Sequence, residues 1–228
     1  MPTPQPVPEK HTTLADTEPF GCLPPTLLGA AARRAEWVRL GRRSAIPLAS
    51  VAMLRVVGGR VSVVRRGDQR EVLLGLYAPG ELVGLAAVLG RRDPSWLHVG
   101  DDLVALRVPA DVVRNLAQRH APFATALGSL LATRLLHAEE RLLWHSERSV
   151  AARLAGLLCA LAERYGERDE KGGLTVPWRP THREIAAWVG CTRETATAVL
   201  SRLRREGLAD LSAGRLCVPD LDALRRWR

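Results

Sequence analysis

The stretch Thr181–Leu208, THREIAAWVGCTRETATAVLSRLRREGL, holds the pattern from which the rest of the chain is read. Thr181 and Glu184 have the T-x-x-E spacing of a capping box, in which a hydroxyl and a carboxylate satisfy two orphaned amides at a helix start. Ile185, Ala186 and Val189 give that helix one apolar face. Gly190 follows, and glycine tolerates the left-handed backbone that a tight turn between helices requires. Thr192 is placed to cap a second helix whose inward face is Ala196, Val199, Leu200 and Leu203. Two short helices, a glycine turn and the small Ala186 at their crossing predict a helix-turn-helix.

The outward face of the second helix carries chemistry. Its first turn presents Arg193 and Glu194, with Thr197 one turn later. A helix lying in the DNA major groove offers its N-terminal residues to base edges. Arginine can bond guanine O6 and N7 together, and glutamate can accept from cytosine N4. Thr181, Thr192, Thr195 and Ser201 supply short hydroxyls suited to phosphates, and Arg202 a cation. A solvated charged face on an ordinary helix pair has the same residue types, and at this level both readings stand.

Downstream, Leu208–Leu211 and Arg215–Val218, joined by Ser212-Ala213-Gly214, read as a two-stranded wing. Arg215 could reach phosphate from it or stand idle. Asp220 is positioned to cap a closing helix that runs to Trp227. Upstream, Val150, Leu154, Leu157, Leu158 and Leu161 form one face of a helix over 149–165, and the polar run 166–173 reads as a loop. Val176–Trp178 is a short strand candidate that Pro180 ends.

Further upstream, Pro122 suits the first turn of a long helix through about Trp144. Its apolar residues, Phe123, Leu127, Leu130, Leu131, Leu135, Leu136, Ala138, Leu142 and Leu143, cover more than half its circumference. Such a helix needs burial on two sides. One side can be its own domain; the other is most simply a second copy, through Leu127, Leu131, Leu135, Ala138 and Leu142, although one large core would also serve. Between about Ile46 and Val108, the runs Val51–Val57, Arg60–Val64, Glu71–Tyr77 and Leu103–Val108 alternate with turns, with Gly58-Gly59 and Gly67-Asp68 as hairpin punctuation. They predict a small antiparallel barrel or jelly roll. Thr26–Leu40 reads as a helix before it. Residues 1–20, with prolines at 2, 4, 6 and 8, read as a disordered extension lacking the apolar run of a signal peptide.

The fold expected is therefore α+β: 1–20 disordered, 21–121 a β-roll, 122–147 a dimerisation helix, and 148–228 a winged helix-turn-helix. Of 228 residues, 46% are hydrophobic and 25% charged, a globular profile. The net charge is +9, and all 33 basic residues but Lys10 and Lys171 are arginine. Arginine suits phosphates and guanine edges, but a bias toward Arg, Ala, Leu and Val in this chain accounts for it equally well. Cys22, Cys159, Cys191 and Cys217 are scattered, so neither a zinc site nor an iron–sulfur centre is expected. Cys159 and Cys217 fall in apolar runs where thiols are inert. No run reaches about 18 apolar residues, and a cytoplasmic location without membrane contact is expected.

GCTRETATAVLSRLRREGL resembles the recognition motif of the cyclic-AMP receptor protein/fumarate–nitrate regulator (CRP/FNR) family, G-[CS]-[ST]-R-E-T-V-x-R-x-L followed by L-x-x-x-G-L. Gly190, Cys191, Thr192, Arg193, Glu194, Thr195 and Leu200 fit, as does Glu184-Ile185. YAPGELVG, Tyr77–Gly84, is similar to the family's barrel signature, and the helix after Pro122 to its dimerisation helix. The resemblance implies a cyclic-nucleotide-binding-like roll and a homodimeric transcription regulator, an activator that contacts RNA polymerase and binds palindromic TGTGA-like sites. It assigns base readout to Arg193 and Glu194, and backbone contacts to Thr181, Thr192 and Thr195. Ala198 stands where the family often has a second arginine, which puts readout of one base in doubt; Thr197 and Arg202 are not assumed to replace it.

The family's cyclic-AMP cassette is incomplete. Its glutamate is missing, because Gly84 is followed by Leu85-Ala86-Ala87, and its arginine is missing, because Pro94 precedes Ser95. The Thr-Ser pair that meets adenine aligns near Glu139-Glu140. Arg91 and Arg92 are close in sequence, with nothing to place them in the pocket. Binding of cyclic AMP is not expected, and no cofactor or metal is assigned. His98, His120 and His137 are weak haem candidates. An effector-gated regulator answering an unidentified ligand, or a redox or gas signal, is the alternative. A cupin-type enzyme would need clustered histidines, but the barrel has only His98; no G-x-S-x-G, P-loop or H-E-x-x-H occurs. A pure protein-interaction module would leave the Arg193-Glu194 face without purpose.

Overall fold

The computed structural model describes residues 8–66, 71–91, 93–146, 149–170 and 172–227. The chain divides into two compact units, Met1–Leu135 and Leu136–Arg228.

The first unit opens with α1 (Lys10–Ala15), a short 3₁₀ turn (Phe20–Cys22) and α2 (Pro25–Arg34). Residues 8–20 were expected to be disordered with the rest of the N-terminal extension, and they are not. Leu14 and Phe20 are fully buried, and the Phe20 ring meets Phe123 edge-on at 5.3 Å. The buried hydroxyls of Thr13 and Thr17 donate to the Glu9 and Thr13 carbonyls at 2.9 and 2.7 Å. The residues between these two anchors, Ala15-Asp16-Thr17-Glu18-Pro19, are mostly polar and make no sustained apolar repeat, so the segment resembles its polar surroundings in sequence. Residues 1–7 lie outside the described residues.

Strands β1 (Glu36–Leu40), β2 (Ala45–Pro47), β3 (Met53–Arg66), β4 (Glu71–Tyr77) and β5 (Leu82–Val83) follow. After them come the single turn α3 (Leu85–Val88), strand β6 (Trp96–Val108), α4 (Ala110–Arg119) and α5 (Ala121–Ser146). The sheet order is β1-β6-β3-β4, with β2 also on β6 and β5 also on β3, all antiparallel. This is the roll that the sequence implies, but two boundaries differ. The helix expected to reach Leu40 ends at Arg34, where Ala35 is extended and Glu36 begins a strand paired with Arg107 across the ladder. Gly58-Gly59 does not close a hairpin; β3 runs through it with register shifts against β6. A Cβ on Gly59 (φ +78) would stand 2.2 Å from the Asp102 carbonyl oxygen, so the diglycine bends a continuous strand against its neighbour. Gly67-Asp68 lies outside the described residues; β3 and β4 pair on either side of it, to Arg66 opposite Glu71.

The roll's interior holds Val61 opposite Val99 and Val63 opposite Leu97. A second core joins α1, α2 and α4 to the start of α5 through Leu14, Phe20, Leu28, Val113, Leu116, Phe123 and Leu127. Leu127 was expected to face a partner copy. It is only 5% exposed and fills its own chain's core, with Leu131 half-buried beside it. Further along α5, Leu135 is 60% and Leu142 70% exposed, like Leu136 and Leu143, while Ala138 is half-buried. No helix among the described residues is long and apolar enough to cross a membrane.

The second unit contains α6 (Val150–Tyr165), β7 (Glu167–Arg168), β8 (Leu174–Val176), α7 (His182–Val189), α8 (Arg193–Arg205), β9 (Leu216–Val218) and α9 (Leu221–Arg226). Ser149 caps α6, whose Leu154, Leu157, Leu158 and Leu161 are buried. Asp220 caps α9 by accepting from the Ala223 amide at 2.9 Å. The small sheet is β7-β8-β9. The strand expected over Leu208–Leu211 shrinks to a bridge between Asp210 and Cys217, because the Leu211 carbonyl accepts from Arg179 at 2.9 Å instead of from a neighbouring strand. Ala213 (φ 51) and Gly214 (φ 77) make the turn into β9. Cys159 is buried, and burial pushes its thiol up to about 11, which keeps it inert.

Replacing Phe20 by Ala is predicted to cost about 3–5 kcal/mol, the usual range for deleting a buried ring. Urea denaturation of the full chain measures it; a loss below about 1 kcal/mol would show that the N-terminal segment does not dock.

Candidate nucleic-acid interface

Local sequence builds the interface one backbone group at a time. Thr181 and Glu184 form the reciprocal capping box: the Glu184 amide donates to the Thr181 hydroxyl at 3.2 Å, and the Thr181 amide donates to the Glu184 carboxylate at 2.7 Å. At the other end of α7, Gly190 takes φ 74, ψ 43, and the Gly190 and Cys191 amides both donate to the Ala186 carbonyl, at 2.9 and 3.0 Å. That left-handed step turns the chain within three residues. Thr192 then caps α8 by accepting from the Thr195 amide at 3.2 Å, and its hydroxyl lies 3.0 Å from that of Thr195.

The buried faces are Ile185, Ala186, Trp188 and Val189 on α7, and Ala196, Leu200 and Leu203 on α8. Val199, expected inside, is half-buried. Trp188 was not anticipated; it follows Ala186 and Ala187, outside the apolar spacing used to place the helix. Arg153 of α6 donates to the Val189 carbonyl at 3.0 Å and braces the end of α7.

Thr192, Arg193, Glu194, Thr195 and Ala198 are exposed together over the first turns of α8. Among the described residues the Arg193 guanidinium makes no hydrogen bond or ion pair. The Glu194 carboxyl is held below the usual carboxylate range by its own backbone amide, then by the Thr192 hydroxyl, with Arg193 adding a little. It stands ionised at the positive end of the helix, an acceptor. One unengaged fork donor and one ionised acceptor thus stand side by side.

Other expected contacts are placed differently. Thr197 is half-buried; its hydroxyl donates to the Arg193 carbonyl at 2.8 Å and lies 2.9 Å from His182 Nδ1, so it is already engaged. Ser201 is exposed, but its hydroxyl donates back to the Thr197 carbonyl at 2.8 Å. Arg202 is drawn toward the chain's end, donating to Glu206 at 2.8 Å and lying 4.7 Å over the Trp227 ring, whose indole nitrogen also donates to Glu206. Arg215 is exposed in the wing turn. His182 was not singled out in the sequence; it stands fifteen residues from Thr197 and meets it only because the two helices cross. Among the described residues no group of three or more His, Cys, Asp or Glu side chains is arranged to hold a metal ion.

Residues 152–227 match the Crp-like helix-turn-helix domain. The chain is 24% identical over 157 residues to the anaerobic regulatory protein of Pasteurella multocida, spanning 68% of this chain and 56% of that one, so it covers little more than half of that relative. It is 29% identical over 174 residues to the CRP-like cAMP-activated global transcriptional regulator of Mycobacterium tuberculosis, over 75% of this chain and 77% of that one. Among solved structures, FixK2 from Bradyrhizobium japonicum superposes with a TM-score of 0.73 at 21% identity, over 83% of this chain and 95% of that one. With an antiparallel roll, a long helix and a capped helix-turn-helix already in place, the chain carries a Crp-like helix-turn-helix domain over residues 152–227 and has the fold of CRP/FNR-family structures.

Proposed function

We propose that the protein is a homodimeric, sequence-specific DNA-binding regulator that reads a palindromic TGTGA-like site, activates transcription through RNA polymerase, and acts without cyclic AMP. The observation that carries it is the exposed start of α8, where Arg193 has no partner among the described residues and Glu194 is ionised. In this reading Arg193 bonds a guanine edge, Glu194 accepts from a cytosine amine, and Thr181, Thr192 and Thr195 hold phosphates. Arg202 has no part in it, being committed to Glu206 and Trp227. Thr197 supports readout only through its methyl group, because its hydroxyl is committed. Activation and polymerase contact rest on the family likeness, as does the cytoplasmic setting.

Independence of cyclic AMP is supported inside the roll. Gly84 is followed by Leu85-Ala86-Ala87 in α3, without a carboxylate for a ribose. Ser95 is buried, and the cation that its sequence neighbour fails to supply comes from β3: Arg65 Nε donates to the Ser95 hydroxyl at 3.2 Å. That arginine is already neutralised, with Nη2 3.0 Å from Asp93. Burial opposes ionisation of Asp93, but bonds from Ser95 and Arg65 outweigh it and hold the carboxyl below its ordinary range. A phosphate here would meet the Asp93 carboxylate in its place, like charge against like charge.

Dimerisation is supported by the exposed leucines of α5, spaced two turns apart at Leu135 and Leu142. Leu135→Asp with Leu142→Asp is predicted to shift the protein to monomer mass in sedimentation, whereas Leu127→Ala should lower stability by about 2–5 kcal/mol and leave association intact. Unchanged dimer mass in the double aspartate variant would remove this assignment.

DNA binding is tested by titrating a duplex carrying the inverted repeat at several salt concentrations, with and without cyclic AMP. Affinity should fall steeply with salt, as counterion release requires, and be indifferent to the nucleotide. Arg193→Ala should cost about 1–3 kcal/mol and relax preference at one base pair per half-site, while Thr195→Ala weakens all sequences alike. If Arg193→Ala binds every duplex as the parent does, the readout assigned here is wrong.

A further inference from the structure

His182 is the first residue of α7, and its ring reaches across the helix crossing to α8, with Nδ1 2.9 Å from the Thr197 hydroxyl oxygen. Thr197 has one hydroxyl proton, which goes to the Arg193 carbonyl at 2.8 Å. Toward His182 it therefore accepts, so Nδ1 carries a hydrogen and Nε2 is the bare nitrogen of the neutral ring. Nε2 makes no hydrogen bond among the described residues and is not buried, so it opens to solvent. It does so beside the capped starts of α7 and α8, where Thr181, Thr192 and Arg193 are exposed.

The charged groups that bear on the ring are Arg179, from the segment entering α7, and Arg193, from α8. On α7 itself Arg183 and Glu184 follow, and Glu184 is occupied by Thr181. Burial first, and then the two guanidinium groups, hold the imidazole below its ordinary value, so the ring is neutral in the free protein near neutral pH. Phosphates brought to this face would cancel the two guanidinium fields and favour the charged ring.

We propose that His182 is a proton-linked contact of the DNA interface: Nδ1 clips α7 to α8 through Thr197, and Nε2 takes up a proton from solvent as it donates to a backbone phosphate. The inference rests on the DNA-binding reading above and adds a regulatory property to it. The Thr197 bond survives protonation, because Nδ1 donates in both forms; only Nε2 changes, from acceptor to donor. The sign follows from linkage. The bound ring titrates higher than the free ring, so binding takes up protons and affinity rises as pH falls through the interval between the two values. Above that interval and below it, affinity is flat. Because the contact is to phosphate, the effect is the same on any sequence.

The test compares the parent with His182→Gln, which keeps a donor for Thr197 but cannot titrate, and with His182→Arg, which is charged throughout. Affinity is measured from about pH 8 to about pH 5.5 at fixed ionic strength, on the inverted-repeat duplex and on an unrelated duplex of equal length. The parent should gain about tenfold on both duplexes as pH falls, since one unit of displacement is a tenfold change. The Gln variant should be flat at the weaker level and the Arg variant flat at the stronger one. Calorimetry in two buffers of unlike ionisation heat should show proton uptake by the parent that is absent from both variants. A pH dependence retained in His182→Gln would overturn the proposal while leaving DNA binding intact. A parent that binds neither duplex at any pH would overturn both.

Discussion

The placement of α8 depends on the turn at Gly190. Its left-handed backbone, closed by two amides on the single Ala186 carbonyl, fixes where the second helix begins. A side chain at φ 74 would strain that step, and a longer connection would let the helix start drift. Once the turn is set, Thr192 can cap α8 and Ala196, Leu200 and Leu203 can bury against α7. Arg193 and Glu194 then have nowhere to go but outward. The exposed pair is thus a consequence of how the turn is closed and of which positions the core consumes.

The side chains around that pair divide into those already bonded and those left open. Thr181, Thr192 and Thr195 are occupied in caps, yet each hydroxyl retains acceptor or donor capacity at the surface. Ser201, Arg202 and Thr197 are turned inward on the chain itself. Those bonds narrow the proposed DNA interface to the first turn of α8 and the first residues of α7. The same accounting applies in the roll, where Asp93 satisfies the arginine that reaches Ser95. In the reading proposed above, that intramolecular carboxylate stands where an anionic ligand would need a cation.

Much of this was legible in the residues because local rules and tertiary demands coincide in the helix-turn-helix. T-x-x-E, the glycine and the inward apolar set all point the same way. Legibility failed where a long-range contact overrode local character. The diglycine at 58–59 looks like a turn, but it serves the close approach of Asp102. Leu14 and Phe20 sit in a polar stretch and are buried by partners such as Phe123, about a hundred residues away. The helix expected to Leu40 gives way at Ala35 without glycine or proline, because β6 supplies a ladder for Glu36–Leu40. Leu127 and Leu142 belong to one apolar helix, and periodicity cannot tell which is taken by the chain's own core. His182 and Thr197 are joined by a helix crossing, which no spacing rule encodes.

The most direct measurement is a guanine-substitution scan crossed with one protein variant. Each guanine of the half-site is replaced in turn by 7-deazaguanine, which removes the N7 acceptor, and affinity is measured for the parent and for Arg193→Ala. The account predicts that at one guanine per half-site the parent loses about 1 kcal/mol, while the variant loses nothing further there. Equal losses in both proteins at every guanine, or no guanine that matters to the parent, would contradict an arginine fork set into the major groove by the turn at Gly190.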